Sequence, residues 1–170
     1  MSNIQSKALA LILVLSGTFQ ASAQKTNAEN KTKSKMTNLN YDFTINAPAD
    51  SVWAIVGDLE ACSKWIPGII SAAMDNNNRT CKTADGHEIK EVITEHSNEK
   101  RIFSYTQTQV PLPIKDSSGT FQVLGDGKNT QIIWRVEFQL LDPSTEKEMV
   151  PMIDGYYQQT LENLKQVVEN

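Results

Sequence analysis

Glu91 holds the most chemistry in this sequence. It stands in Glu91-Val92-Ile93-Thr94-Glu95, where strand alternation puts it on one face with Ile89 and Ile93. A carboxyl on a buried apolar face can act as acid, base or polar anchor. The alternatives are a carboxylate on the solvent face or one held by a structural partner. Tyr105 and Tyr156 carry hydroxyls able to donate a hydrogen bond to a ligand carbonyl. Trp134 adds a large apolar surface, with core packing as its other reading.

Other reactive side chains are few. His87 follows the Asp85-Gly86 turn signal and His96 precedes another turn, so both are expected at the surface. Neither stands at metal-ligand spacing with Cys62 or Cys81, and no metal site is expected. In an oxidising compartment the two cysteines can form one disulfide. Sequence alone cannot establish the separation that a bridge requires, and two separate buried thiols are the alternative. Cys62 lies beside an apolar helical turn, where an inert thiol is expected over a nucleophile. There is no G-x-S-x-G nucleophile motif, phosphate loop or dinucleotide fingerprint, and no cofactor is expected. Asn30-Lys31-Thr32 and Asn78-Arg79-Thr80 match the N-glycosylation pattern, which matters only on a eukaryotic secretory route.

These residues need elements to position them. Leu39 to Ile45 alternates apolar and polar, as a half-buried strand does. Pro48 suits the start of a helix carrying Val52, Trp53, Ile55, Val56 and Leu59. Gly57-Asp58 breaks it, and Asp58 can cap a second short helix running through Trp65. Strand-like runs follow at 69–74, 79–83, 87–95, 101–110, 118–124 and 130–141. They are separated by turn signals and by Pro111-Leu112-Pro113. Sequential short strands joined by tight turns favour an antiparallel meander.

After Asp142-Pro143-Ser144-Thr145 the period changes. Met149, Met152, Ile153, Tyr156, Tyr157, Leu161, Leu164 and Val168 fall at helical spacing, with charged residues on much of the other face. Pro151 is expected to start the main part of this helix or to kink it. Burying some eight such side chains is worth roughly 12–24 kcal/mol gross. Net domain stability is only about 5–15 kcal/mol. The helix is therefore expected to pack on the sheet as part of the domain. The fold class is α+β, with about seven antiparallel strands curving around the long C-terminal helix.

The N-terminus reads differently. A short polar start with Lys7, an apolar run over 8–15, and Ala21-Ser22-Ala23 have the order of a secretory signal peptide over 1–23. The run is shorter than the roughly 20 residues a membrane span needs. Residues 24–38 are rich in Lys and poor in apolar groups, as a flexible linker is. The folded domain is expected over 39–170, in an exported protein, periplasmic or secreted. From Tyr41 onward there are 11 Lys and Arg against 19 Asp and Glu, a formal charge of −8. That charge argues against nucleic acid as a partner. Stable membrane insertion of the mature chain is not expected either. The sequence carries no signal for oligomeric state.

The order of strand, two short helices, six strands and long helix resembles the START-like (SRPBCC) superfamily, in its polyketide cyclase/dehydrase-like branch. The resemblance rests on Ala47-Pro48-Ala49-Asp50-Ser51-Val52-Trp53, Trp65-Ile66-Pro67-Gly68, Glu91 to Glu95, Pro111-Leu112-Pro113-Ile114 and Thr130 to Phe138. It implies a helix-grip fold with a tunnel between sheet and helix, and a hydrophobic or amphipathic guest such as a lipid or polyketide. A minority of such proteins are enzymes. The branch has no universal catalytic residue to carry over. Residues expected to line the cavity are Trp65, Ile89, Glu91, Ile93, Phe103, Tyr105, Trp134, Val136, Met152 and Tyr156. Binding is the expected function. The alternatives are a cyclase or dehydratase using Glu91 or a tyrosine, and a protein-interaction or stress-response module with a packed interior.

Overall fold

The computed structural model describes residues 35–125 and 127–170. The expected signal peptide and most of the expected linker lie outside the described residues. Seven strands form one antiparallel sheet: β1 Met36–Ile45, β2 Ile69–Asp75, β3 Asn78–Thr83, β4 Glu88–Ser97, β5 Ile102–Gln109, β6 Ile114–Leu124 and β7 Thr130–Leu140. Their order across the sheet is β1-β7-β6-β5-β4-β3-β2. The meander β2 to β7 is consecutive, and β1 closes onto β7. Helix α1 spans Ala49–Val56, a 3-10 turn covers Ala61–Lys64, and helix α2 runs from Glu146 to Glu169.

The expected helix-grip architecture is present, with four local differences. β1 starts at Met36, not Leu39, because Met36, Thr37 and Asn38 pair with Gln139, Phe138 and Glu137. The second short helix is a single 3-10 turn. β6 begins at Ile114, directly after the Pro111-Leu112-Pro113 break, since Ile114 and Lys115 still pair with Leu140 and Gln139. α2 passes through Pro151 instead of starting there. Pro151 removes the hydrogen bond to the Lys147 carbonyl, and Lys147 is exposed, so water can satisfy that oxygen.

The core is built on alternation. Ile132, Trp134, Val136, Phe138 and Leu140 of β7 are buried on one face, with Phe121 and Val123 of β6 and Phe103 and Tyr105 of β5. Ile153, Thr160, Leu161 and Leu164 are the buried stripe of α2. The Tyr157 ring meets Trp134 edge-on, at 4.7 Å between centroids. Polar ties fix the helix along its length. Tyr41 donates to Asp154 at 2.8 Å, Asn163 donates to the Trp65 carbonyl at 2.8 Å, and the Asn46 amide donates to Glu169 at 2.7 Å.

Candidate functional site

The space between sheet and helix is not uniform. Beneath the later turns of α2 it is solid. Trp65, Phe121 and Trp134 pack ring against ring there, with centroids 5.1–6.0 Å apart. Beneath the first half of α2 an open cavity of about 420 Å³ remains. That is within the size range of small-molecule sites, roughly 300–1,000 Å³. Ile69, Ile89, Leu112, Ile114, Phe138 and Ile153 supply much of its apolar wall. Ile69 enters after the left-handed Gly68 (φ 81°) that ends the 65–68 segment. Leu112 is delivered by the proline break between β5 and β6.

A smaller inner chamber of about 60 Å³ adjoins this cavity. Ile69, Ile89, Gln107, Tyr156 and Tyr157 border both. The inner chamber is where polar groups converge. Register puts Arg79 opposite Glu91, Glu91 opposite Gln107, and Gln107 opposite Ser117. These four side chains form one hydrogen-bonded row across β3 to β6. Arg79 Nε and its NH2 group each lie 2.7 Å from Glu91 Oε2. Gln107 donates to Glu91 Oε1 at 3.1 Å, and Ser117 donates to Gln107 at 2.7 Å. Arg79 is 4% exposed and Glu91 6%, so the pair is desolvated and its partners are obligatory. Burial works against the Arg79 charge, but the Glu91 carboxylate, with smaller contributions from Cys81 and Cys62, outweighs it and holds the guanidinium's pKa above its ordinary value. The Arg79 guanidinium also sits 5.7 Å from the Phe103 ring centroid.

A chain of aromatic donors ends at the same place. Trp134 Nε1–H donates to the Tyr105 hydroxyl oxygen at 3.3 Å. The Tyr105 and Tyr157 hydroxyls neighbour one another and influence each other's ionisation. Burial pushes both phenols well up, and the Glu91 charge adds to this, so both stay neutral donors. Tyr156, at the mouth, is pushed up to about 12, mainly by burial. Its hydroxyl donates to the Pro67 carbonyl at 3.2 Å.

Of the ten expected lining residues, eight border the two chambers. Met152 lines the outer cavity, and Ile89 and Tyr156 line both. Trp65, Glu91, Phe103, Tyr105 and Trp134 line the inner chamber. Ile93 and Val136 are buried on the same face but lie deeper in the core and border neither. Glu91 is not a free carboxylate, since both its oxygens are engaged. Sequence reasoning passed over Arg79 and Ser117. Alternation along β3 already placed Arg79 on the face of Cys81, but a lone arginine after a turn reads as a surface residue. His87 and His96 are both exposed, and His96 stacks on Trp53. Among the described residues no group of three or more His, Cys, Asp or Glu is placed to hold a metal ion. No described helix is long and apolar enough to cross a membrane.

Solved structures share this fold, among them the following three. A Bacillus thuringiensis protein has a TM-score of 0.72 at 20% identity, covering 79% of this chain and 100% of that one. The Zhui aromatase/cyclase from Streptomyces sp. R1128 has a TM-score of 0.66 at 16% identity, covering 79% and 94%. Norcoclaurine synthase from Thalictrum flavum, in complex with dopamine and hydroxybenzaldehyde, has a TM-score of 0.61 at 18% identity, covering 95% and 96%. No curated protein matches the sequence. The model of one family, described as polyketide cyclase/dehydrase and lipid transport, matches residues 36–169. That match spans the whole sheet and the whole of α2, so the chain belongs to this family of START-like (SRPBCC) helix-grip domains.

Proposed function

We propose that this domain binds a neutral, mainly apolar small molecule that carries a hydrogen-bond-accepting oxygen. The observation that supports it most is the cavity of about 420 Å³ under the first half of α2, apolar along its walls and polar at its inner end. The apolar body of the guest would lie between Ile89, Leu112, Ile114 and Ile153. Its oxygen would meet the Tyr157 hydroxyl. Tyr105 accepts from Trp134, and the Tyr157 hydroxyl beside it belongs to a side chain that borders both chambers, where it would donate to a guest. A charged guest is disfavoured, because Arg79 and Glu91 already neutralise each other and a further buried charge would lack a partner.

Binding is favoured over turnover by the same geometry. A cyclase or dehydratase needs a proton acceptor, and both Glu91 oxygens are engaged by Arg79 and Gln107. The enzyme reading keeps the neutral tyrosines as proton donors, and it accords with the names of two structural neighbours, an aromatase/cyclase and a synthase. An open cavity disfavours an interaction module with a packed interior. The protein is further proposed to act outside the cytoplasm, on the strength of the signal-like residues 1–23.

Two experiments test this. The full chain is expressed in a native host, and the purified protein is analysed by native mass spectrometry and solvent extraction. A near-stoichiometric neutral apolar species is expected. A protein that carries no guest, and that fails to quench or displace the apolar probe N-phenyl-1-naphthylamine, overturns the binding reading. For export, fractionation and N-terminal sequencing are expected to find a mature form beginning at Gln24 outside the cytoplasm. An intact chain in the cytoplasm overturns it.

A further inference from the structure

The guest site proposed above gives no role to Cys62 or Cys81, although Cys81 borders the inner chamber. Cys62 lies in the 3-10 turn and Cys81 on β3, 19 positions apart, yet their Sγ atoms are 3.5 Å from each other. Both are free thiols, 1% and 3% exposed. They form a small apolar cluster of their own with Ile69, flanked by Ile66, Ala72 and Ile89. A disulfide has an S–S length of about 2.05 Å, so closing the gap needs a shift of about 1.5 Å. Cys81 also borders the inner chamber, which adjoins the open cavity. A molecule of peroxide size that reaches the inner chamber thus stands beside Cys81, with the Cys62 sulfur 3.5 Å beyond it.

We propose that Cys62 and Cys81 are an oxidation site, closing to an intramolecular disulfide that ties the 3-10 turn to β3 behind the cavity. The oxidant is hydrogen peroxide. The Cys62 thiolate attacks one peroxide oxygen, the O–O bond breaks, and hydroxide leaves with the proton that Cys62 has shed, as water. The Cys81 sulfur then attacks the Cys62 sulfenic acid. The S–S bond forms, the S–O bond breaks, and the departing hydroxyl takes the Cys81 proton as a second water. Two thiols are oxidised and one peroxide is reduced. The order of attack follows from the surroundings. The hydrogen bond from Cys81 lowers the Cys62 pKa, and the Arg79 guanidinium adds to this, while the same contact raises Cys81.

The bridge would fix more than two side chains. The 3-10 turn leads straight into residues 65–68, and this segment holds α2 through two carbonyls. Trp65 accepts from Asn163 and Pro67 accepts from Tyr156. Oxidation would therefore anchor to β3 the strap that borders both chambers. This inference depends neither on the guest nor on export, because the chemistry can be run on the purified full chain.

The test treats the reduced protein with hydrogen peroxide at neutral pH, then denatures it and alkylates the remaining thiols. The expected result is a mass loss of about two hydrogens, no alkylation, and one peptide pair joining Cys62 to Cys81. The melting temperature should rise by roughly 10 °C and fall back with dithiothreitol. Cys62→Ser and Cys81→Ser are each expected to remain folded and to show no such mass loss and no dithiothreitol-sensitive shift. Full alkylation of peroxide-treated protein would overturn the proposal. So would sulfinic acid on one cysteine alone, or dimers joined through either cysteine.

Discussion

Arg79 and Glu91 stand opposite each other on neighbouring strands and join at 2.7 Å inside the sheet, at one end of a polar row that continues through Gln107 to Ser117. The row crosses four strands on a face that is otherwise aromatic and aliphatic. Its members satisfy one another, which is the condition for burying two charges. It supplies the polar end of a cavity that is apolar elsewhere.

Removing one member of the pair should be worse than removing both. Arg79→Ala leaves the Glu91 carboxylate buried beside Gln107 alone, and a loss of about 3–5 kcal/mol is expected. The double change Arg79→Met with Glu91→Leu should recover more than half of that loss. Urea unfolding of the three proteins measures this. A single variant as stable as the wild type would show that water reaches the row.

The cavity should tolerate filling better than the core does. Leu112→Trp puts an indole into open space at the mouth. Affinity for the extracted guest, or for N-phenyl-1-naphthylamine, is expected to fall at least about tenfold, the loss of about 1.4 kcal/mol of binding. The melting temperature should stay within about 3 °C of wild type, because no packed side chain is displaced. Unchanged affinity would place the guest elsewhere.

Tyr157→Phe removes one hydroxyl and little volume. Its expected cost is about 0.5–1.5 kcal/mol of binding for a guest bearing an accepting oxygen, and almost none for a pure hydrocarbon probe. Competition titrations with the two kinds of guest separate these outcomes. An equal loss for both would mean that Tyr157 acts through packing alone.

Gly119 is needed for space. A Cβ placed on it would lie 2.5 Å from Cζ and Oη of Tyr105, a ring that is itself 4% exposed. Gly119→Ala should therefore cost about 1–3 kcal/mol, by forcing the ring away from Trp134 and Tyr157. The Tyr105→Phe background should reduce the penalty only in part, since Cζ remains. Urea midpoints of the single and double variants give the answer.

All four tyrosines of the chain are held protonated beyond their ordinary range, by burial first and, for Tyr41, also by its hydrogen bond to Asp154. The unfolded chain releases these protons near pH 10, whereas in the folded protein Tyr156 holds its own until about 12 and the other three longer. Above pH 10 the unfolded state therefore binds fewer protons, and stability falls as pH rises. The contribution is fully present below pH 10 and is lost as the pH passes through the folded values. Absorbance at 295 nm should show no tyrosinate step near pH 10 in the native protein, and a full step in urea. A native step there would mean that solvent reaches these hydroxyls.

Much of this protein is written in local patterns. Ile132, Trp134, Val136 and Phe138 alternate with polar neighbours, and that period-two signal alone identifies β7 and its inner face. Met149 to Val168 repeats at helical spacing, which identifies α2 and its apolar stripe. Local spacing does not extend to contacts made between distant segments. It could not say that Ser117, separated from Arg79 by two intervening strands, belongs to the same polar row. It could not say that Glu91 meets a partner and not a guest. Nor could it bring Cys62 and Cys81 together, or divide the space under α2 into a solid half around Trp134 and an open half around Ile153. Those are matters of register and packing. A shift of one residue in strand pairing moves every side chain to the opposite face, so only the assembled sheet decides which groups meet.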